Sequence, residues 1–317
     1  MKAHHFEGVW ITDKEFATLP PRNVFHRQLE KVSLPCDEHR DRHILFRRRF
    51  ALDKLPKNAR LLITADDYYK VYLNGVFVSQ GPAPAYPIRY GYNELDVTAF
   101  LREGENVLAV HTLYQGLINR VWVSGDNRHG LLCDLILDEQ VAFGSDERFL
   151  THRHTAYAEV GTVGYATQFL ESYDSSAPEV GFAAANFDDG DWENAFRREH
   201  LDYVLEPQPT ASLVFETIRP VVTEKTGDSL LIDFGSCYVG YLRVTARGVK
   251  GNTITVRCAQ ELNPDGSIRH CLRANCKYEE PWILSGGVDT LDWFDYKSFR
   301  YVTLTLPEGC DVKDICL

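Results

Sequence analysis

Apolar and polar residues alternate with a period of two along much of this chain. The clearest case is 66–81, DDYYKVYLNGVFVSQG, where Tyr69, Val71 and Leu73 share one strand face and Lys70 and Tyr72 the other. Asn74-Gly75 is a pair that accepts φ > 0 at both central positions of a tight turn, and Val76, Phe77 and Val78 begin the return strand. A β-hairpin is predicted. Strand-like segments precede it in ILFRRRFAL and ARLLITAD, and follow it at 107–111, 131–137 and 140–143, with turns at Gly104-Glu105-Asn106 and Asp138-Glu139. Asp96 is placed to cap a short helical turn in DVTAFL. Within ILFRRRFAL, alternation sets Arg48 on the face opposite Arg47 and Arg49, which predicts a solvated sheet edge rather than a nucleic-acid patch.

Beyond Pro207 and Pro209, read as a linker, a second series of strands is predicted at 229–234, 238–247, 253–259, 278–284 and 299–306. Turns at Gly235, Gly248 to Gly251, Asn263-Pro264-Asp265-Gly266 and Gly286-Gly287 separate them, and no long helical period occurs. The pattern predicts an all-β protein: two antiparallel, jelly-roll-like β-sandwich domains in tandem. Residues 1–42, with a strand at 9–11 and a breaker at Leu19-Pro20-Pro21, form an arm that packs on the first sandwich, 43–205. The second sandwich is 206–317.

Composition narrows the function. A length of 317 residues allows two cores, and a net charge of −11 with no basic run argues against nucleic acid or an anionic membrane surface as partner. MKAHHFEGVWITDKEF lacks the apolar core of a signal peptide, so the expected compartment is the cytoplasm. The eight cysteines are scattered and read as free thiols. Cys271 and Cys276 have no second pair of ligands nearby, so no zinc site is expected. His152 and His154 share a strand face without a third ligand and read as surface histidines. FDDGDW, 187–192, lacks the spacing of a calcium loop and reads as a turn delivering Trp192 to the core. No cofactor and no metal are expected.

Two loops carry candidate chemistry. Pro82, Pro84 and Pro87 make 81–92 a rigid extended loop, and it carries Tyr86, Arg89, Tyr90 and Tyr92. Aromatic faces stack on the C–H faces of a pyranose, and Arg or Asn donors fix its hydroxyls. The second loop, 114–130, is dense in polar and aromatic groups without strand or helix periodicity, including Tyr114, Gln115, Asn119, Arg120, Trp122, Asp126, Asn127 and Arg128. The sugar-binding candidates are Tyr86, Arg89, Tyr90, Tyr114, Trp122, Asp126, Asn127 and Arg128.

The order of motifs adds a resemblance. YLNG, GPAPAYP, LDVTAFLREGENVLAV and FDDGDW resemble the amino-terminal β-sandwich of bacterial α-L-rhamnosidases, and LIDFGSCYVGYLRV, AQELNPDG and FDYKSFRYV resemble the sandwich that follows it. The resemblance covers about 43–306. It implies hydrolysis of terminal α-L-rhamnosides with inversion, by a carboxylic acid and a carboxylate base on a helical α/α barrel. The chain as given stops at Leu317 without such a barrel, so no catalytic residue is carried over and the chain alone is expected to be inactive. Asp188 with Asp191, and Glu279 with Glu280, are merely adjacent in sequence and read as surface charge. Some family members bind rhamnose through calcium next to a Pro-Gly-Trp loop. GPAPAYP departs from that pattern, and no calcium site is carried over. Three readings follow: the non-catalytic portion of a rhamnosidase whose partner is the missing catalytic domain, a free-standing lectin-like module for rhamnose-containing glycans, and a pure interaction scaffold.

Overall fold

The structure, a computed structural model, describes residues 3–22, 39–118, 124–164, 167–273 and 276–317. The described chain is overwhelmingly strand, with one five-residue helix, Lys14–Thr18, capped by Asp13. The chain divides into two compact units, Met1–His154 with Gly181–Val214 and Thr155–Val180 with Phe215–Leu317.

The first unit is built on two sheets. One runs, in spatial order, Phe196–Arg197, Ile11–Thr12, Gly130–Leu137, Ala59–Asp66, Tyr90–Asp96 and Leu205–Pro207, with Gln140–Gly144 also paired to Gly130–Leu137. The other runs Glu193–Asn194, Leu150–Arg153, Arg42–Leu52, Gly104–Tyr114, Tyr68–Leu73 and Val76–Gly81. Pairing is antiparallel except where Leu205–Pro207 lies parallel to Tyr90–Asp96. Leu61, Ile63, Leu131 and Leu135 from the first sheet and Ile44, Phe46, Val71 and Val110 from the second form the shared core. The outer faces are also covered, by Phe182 and Trp192 on Leu45, Val107 and Ala109, and by Trp10 and Tyr90 on Leu132. Burial on both faces explains why ILF and LLITA read as apolar runs rather than strict alternation. FDDGDW does deliver Trp192 to this packing.

The predicted hairpin is present. Asn74 and Gly75 sit at φ 53° and 85°. The Asn74 side chain donates to the Phe100 carbonyl at 2.9 Å and to Asn106 Oδ1 at 2.8 Å, and accepts from the Val107 amide at 2.9 Å. Asp96 accepts from the Thr98 amide at 3.0 Å at the head of the 3-10 turn Thr98–Phe100.

The expected edge at Arg47 to Arg49 is not an edge. Arg42–Leu52 lies inside its sheet, between Leu150–Arg153 and Gly104–Tyr114. Arg47 is 1% exposed, with Nε donating to Asp189 Oδ2 at 2.8 Å and Nη1 to the Phe182 and Ala184 carbonyls. Arg49 reaches Asp189 Oδ1 at 2.9 Å from the same face, whereas Arg48 points the other way, to Asp146. Alternation placed the three correctly, but the 181–192 segment that buries Arg47 and binds Arg49 comes from far along the chain.

The second unit has a seven-stranded sheet, Tyr157–Val163, Gln168–Asp174, Glu279–Ile283, Thr253–Ala259, Lys297–Thr305, Ser229–Gly240 and Val222–Thr226, and a three-stranded one, Val288–Thr290, Arg243–Arg247 and Asp311–Cys316. Leu230, Ile232 and Phe234 are buried while Leu231 and Asp233 are only partly covered, the alternation of a sheet with one wet face. Two departures from expectation stand out. The segment 238–247 is two strands, broken before Arg243. Strands Tyr157–Val163 and Gln168–Asp174, expected in the first sandwich, enter this sheet instead, Tyr173 and Asp174 lying parallel to Trp282 and Ile283. Glu280, expected at the surface, is 2% exposed and ion-paired with buried Lys297 at 3.2 Å, whose ammonium lies 4.1 Å from the Trp293 ring centre.

Candidate functional site

In the first unit, the ends of three core strands bring polar residues together. Asp66 ends Ala59–Asp66 and Asp67 follows it; Tyr114 ends Gly104–Tyr114; Asp126, Asn127 and Arg128 precede Gly130–Leu137. Asp66 and Asp67 are both buried. Asp67 Oδ2 accepts from the Gln115 amide at 2.7 Å and from the Ser124 hydroxyl at 2.5 Å, and Asp66 Oδ2 accepts from the Tyr203 hydroxyl. Asp126 is held by Arg128, whose backbone amide and Nε donate to it at 2.9 and 2.7 Å. Arg128 Nη1 continues outward to Asp202 at 2.7 Å, with its guanidinium carbon 5.0 Å from the Tyr203 ring centre. The Tyr114 hydroxyl accepts from the Asn127 amide at 2.7 Å, and Tyr90, its hydroxyl donating to the Ala65 carbonyl at 2.9 Å, stacks on Tyr203 at 4.6 Å.

The electrostatics follow from burial. Burial, then the charge of Asp126 and of neighbouring Asp67, pushes the Asp66 carboxyl well above the usual range. Burial also pushes Asp67 up to about 7, against the hydrogen bonds from Ser124, Asp66 and Gln115. Burial thus disfavours the charged form of both adjacent carboxyls. His200, buried against Trp10 at 4.5 Å, is pushed down to about 3 by burial and by the charges of Arg198 and Arg128, and stays neutral.

Tyr90, Tyr114, Asp126, Asn127 and Arg128 therefore converge. Tyr90 and Tyr114 are 2% and 1% exposed, and neither presents a ring face to solvent. Tyr90, expected on the extended loop 81–92, begins the strand Tyr90–Asp96 where 205–207 pairs beside it, and Tyr114, expected on the loop 114–130, ends the strand Gly104–Tyr114. Tyr86 and Arg89 lie at the surface outside the cluster, Arg89 Nε donating to Glu206 at 2.9 Å. Trp122, with Asn119 and Arg120, lies outside the described residues. Sequence reading missed Asp67, Ser124, Arg198, His200 and Tyr203. An acidic pair closing an apolar strand, ARLLITADD, was the available signal, since two carboxylates seldom end a core strand without partners. His154 is also buried, its ring 4.9 Å from that of His111, which in turn meets His43 Nδ1 at 2.8 Å. Among the described residues, no group of three or more His, Cys, Asp or Glu side chains is placed to hold a metal ion.

Each acid of this cluster has a hydrogen-bonding or ionic partner, and these bonds tie 115–128 and Tyr203 to the end of Ala59–Asp66. Arg128, Asp202 and Tyr203 form its rim. Residues 54–217 match the α-L-rhamnosidase N-terminal domain family, and 223–315 match the bacterial α-L-rhamnosidase concanavalin-like domain family. The chain belongs to the α-L-rhamnosidase family. It is 29% identical over 263 residues to an α-L-rhamnosidase of Streptomyces avermitilis, covering 80% of this chain and 26% of that one. The fold is similar to that of a rhamnosidase from Bacillus sp. GL1, with a TM-score of 0.82 at 13% identity, covering 99% of this chain and 55% of the other. It is also similar to that of an α-L-rhamnosidase from Dictyoglumus thermophilum, with a TM-score of 0.69 at 22% identity over 98% and 35% of the two chains. The chain thus spans about a quarter of the length of the Streptomyces relative.

Proposed function

We propose that this chain is the non-catalytic amino-terminal portion of an α-L-rhamnosidase, carrying carbohydrate-binding and supporting modules for a catalytic domain. The observation that carries the reading is that two family matches, to an N-terminal and a concanavalin-like domain, together occupy 54–217 and 223–315, while the Streptomyces relative is several times longer. The bonded state of Asp66, Asp67 and Asp126 supports it, because an inverting glycosidase needs an acid and a base facing a space large enough for sugar and water. Rhamnose-bearing glycans are the proposed ligand, with Arg128 and Asp202 at the rim and Tyr86 and Arg89 at the surface as first contacts. The thiols of Cys133, Cys237, Cys258, Cys271, Cys310 and Cys316 are free, which suits the proposed bacterial cytoplasm.

The chain is expected to release no aglycone from an aryl α-L-rhamnoside; turnover above a heat-killed control that a single Asp or Glu substitution abolishes would overturn the reading. Calorimetry with a rhamnosylated oligosaccharide tests the binding role, and absence of heat at millimolar sugar sinks it. A scaffold reading is favoured by Val214, 85% exposed, and Leu201, 88% exposed. It predicts self-association in light scattering, and a monomer at all concentrations counts against it.

A further inference from the structure

The second unit contains a groove of about 570 Å³ on the wet face of its seven-stranded sheet. Its floor is one transverse row across four strands, in which Leu231 pairs with Thr303, Thr303 with Arg257, and Arg257 with Glu279. Its wall is the segment holding Asn263, Ser267, Arg269 and His270, with Lys277 beside it. That wall is held in shape: the Asn263 amide donates to the Ser267 carbonyl at 2.7 Å, Asp265 Oδ1 accepts from the Ser267 amide and hydroxyl at 3.0 and 2.6 Å, and Gly266 takes φ 84°.

The charge of this lining runs against that of the chain. Against a net −11 for the whole, the groove presents Arg257, Arg269 and Lys277 with His270, and Glu279 as its one carboxylate. Glu279 is shared between Arg257 at 2.6 Å and Lys277 at 2.8 Å, so it orients both cations without neutralising both. Arg269 leans on Glu261, outside the lining, at 2.7 Å. The rest of the lining supplies hydroxyls and an amide, from Ser229, Thr303, Ser267 and Asn263, and two aliphatic side chains, Leu231 and Ile268. The cations match a carboxylate, the hydroxyls and amide match ring hydroxyls, and the aliphatic groups suit a C–H face. Among the described residues, no Phe, Tyr or Trp lines the groove, which disfavours stacked nucleobases.

The geometry points to a binding site for a short anionic saccharide, of the uronic-acid class, in this groove of the second unit. The inference borrows from the proposed function only the premise that this family member handles sugars. The site is separate from the Asp66 to Arg128 cluster in residues and in unit.

The test is titration calorimetry of the full chain at low salt with trigalacturonate, with its neutral methyl ester and with sodium sulfate. The expected result is binding of trigalacturonate that weakens at least tenfold for the ester and at least tenfold in the Arg269→Ala/Lys277→Ala variant. Both side chains are more than half exposed, so an unchanged melting temperature is expected; Lys277→Glu alone serves as the second variant. Equal affinity for acid and ester, sulfate binding as tightly as the trisaccharide, indifference to both variants, or no heat at millimolar trigalacturonate would each overturn the inference. A rhamnosylated oligosaccharide titrated in parallel separates the two readings. Loss of that signal alone sinks the rhamnose proposal, and loss of the trigalacturonate signal alone sinks this one.

Discussion

Asp67 shows how much a single buried carboxyl can set. Its folded-state pKa, near 7, lies above the ordinary Asp value of 3.8, so the folded protein binds the proton more tightly than the unfolded chain does. The stabilisation from that proton is fully present below about pH 4 and is lost as pH rises toward 7, with a slope of roughly 1 kcal/mol per pH unit. Asp67→Asn keeps an acceptor for the Gln115 amide and removes the titration. Urea unfolding of the variant is expected to show a flatter stability profile between pH 4 and 7 than the unaltered protein, and an identical slope would refute the assignment. Asp66 and Asp67 were visible in the sequence only as the start of a hairpin. Their partners Ser124 and Tyr203 are brought in by loop closure across 57 and 137 positions, distances over which residue patterning carries no signal.

At the scale of elements, the hairpin and the arginine strand teach different lessons. The hairpin was legible because the φ > 0 demand of its turn selects Asn-Gly locally. What the sequence did not show is that Asn74 also ties the turn to Phe100, Asn106 and Val107, so Asn74→Ala strips partners from several covered groups. A loss of about 2–4 kcal/mol in denaturant unfolding is expected. Gly75→Ala, which meets only the φ penalty, should lose about 1 kcal/mol. Arg42–Leu52 was legible in its alternation and misread in its surroundings. Arg47→Met leaves Asp189 with the more exposed Arg49 and frees the carbonyls of 182 and 184. A cost of about 3–5 kcal/mol is expected, while Arg48→Met, on the opposite face, should lose less than half of that in the same measurement.

For the whole molecule, the all-β class and the two-sandwich plan were readable because strands with glycine turns leave a period-two trace that helices do not. The family was readable from the order of motifs. The path of the chain between the units was not, because a prolines-only criterion finds linkers and is blind to strands that leave a unit and pair elsewhere. Tyr157–Val163 and Gln168–Asp174 belong with Glu279–Ile283, more than a hundred residues downstream, and Gly181–Val214 then returns to the first unit. A polypeptide of 215–317 alone should therefore lack two strands of its sheet and unfold at lower denaturant than one of 155–317.

That detour sets a timetable on the ribosome. The strand Gln168–Asp174 emerges long before the strand beside which it finally lies, and until 279–283 has been made its outer edge offers unsatisfied amides and carbonyls to any passing strand. The first unit closes only once 205–207 has reached Tyr90–Asp96, so the early strands wait through the synthesis of an excursion that serves a later sheet. A newborn chain stalled near residue 200 is the species most exposed to mispairing, and holding factors that bind extended segments should find it there.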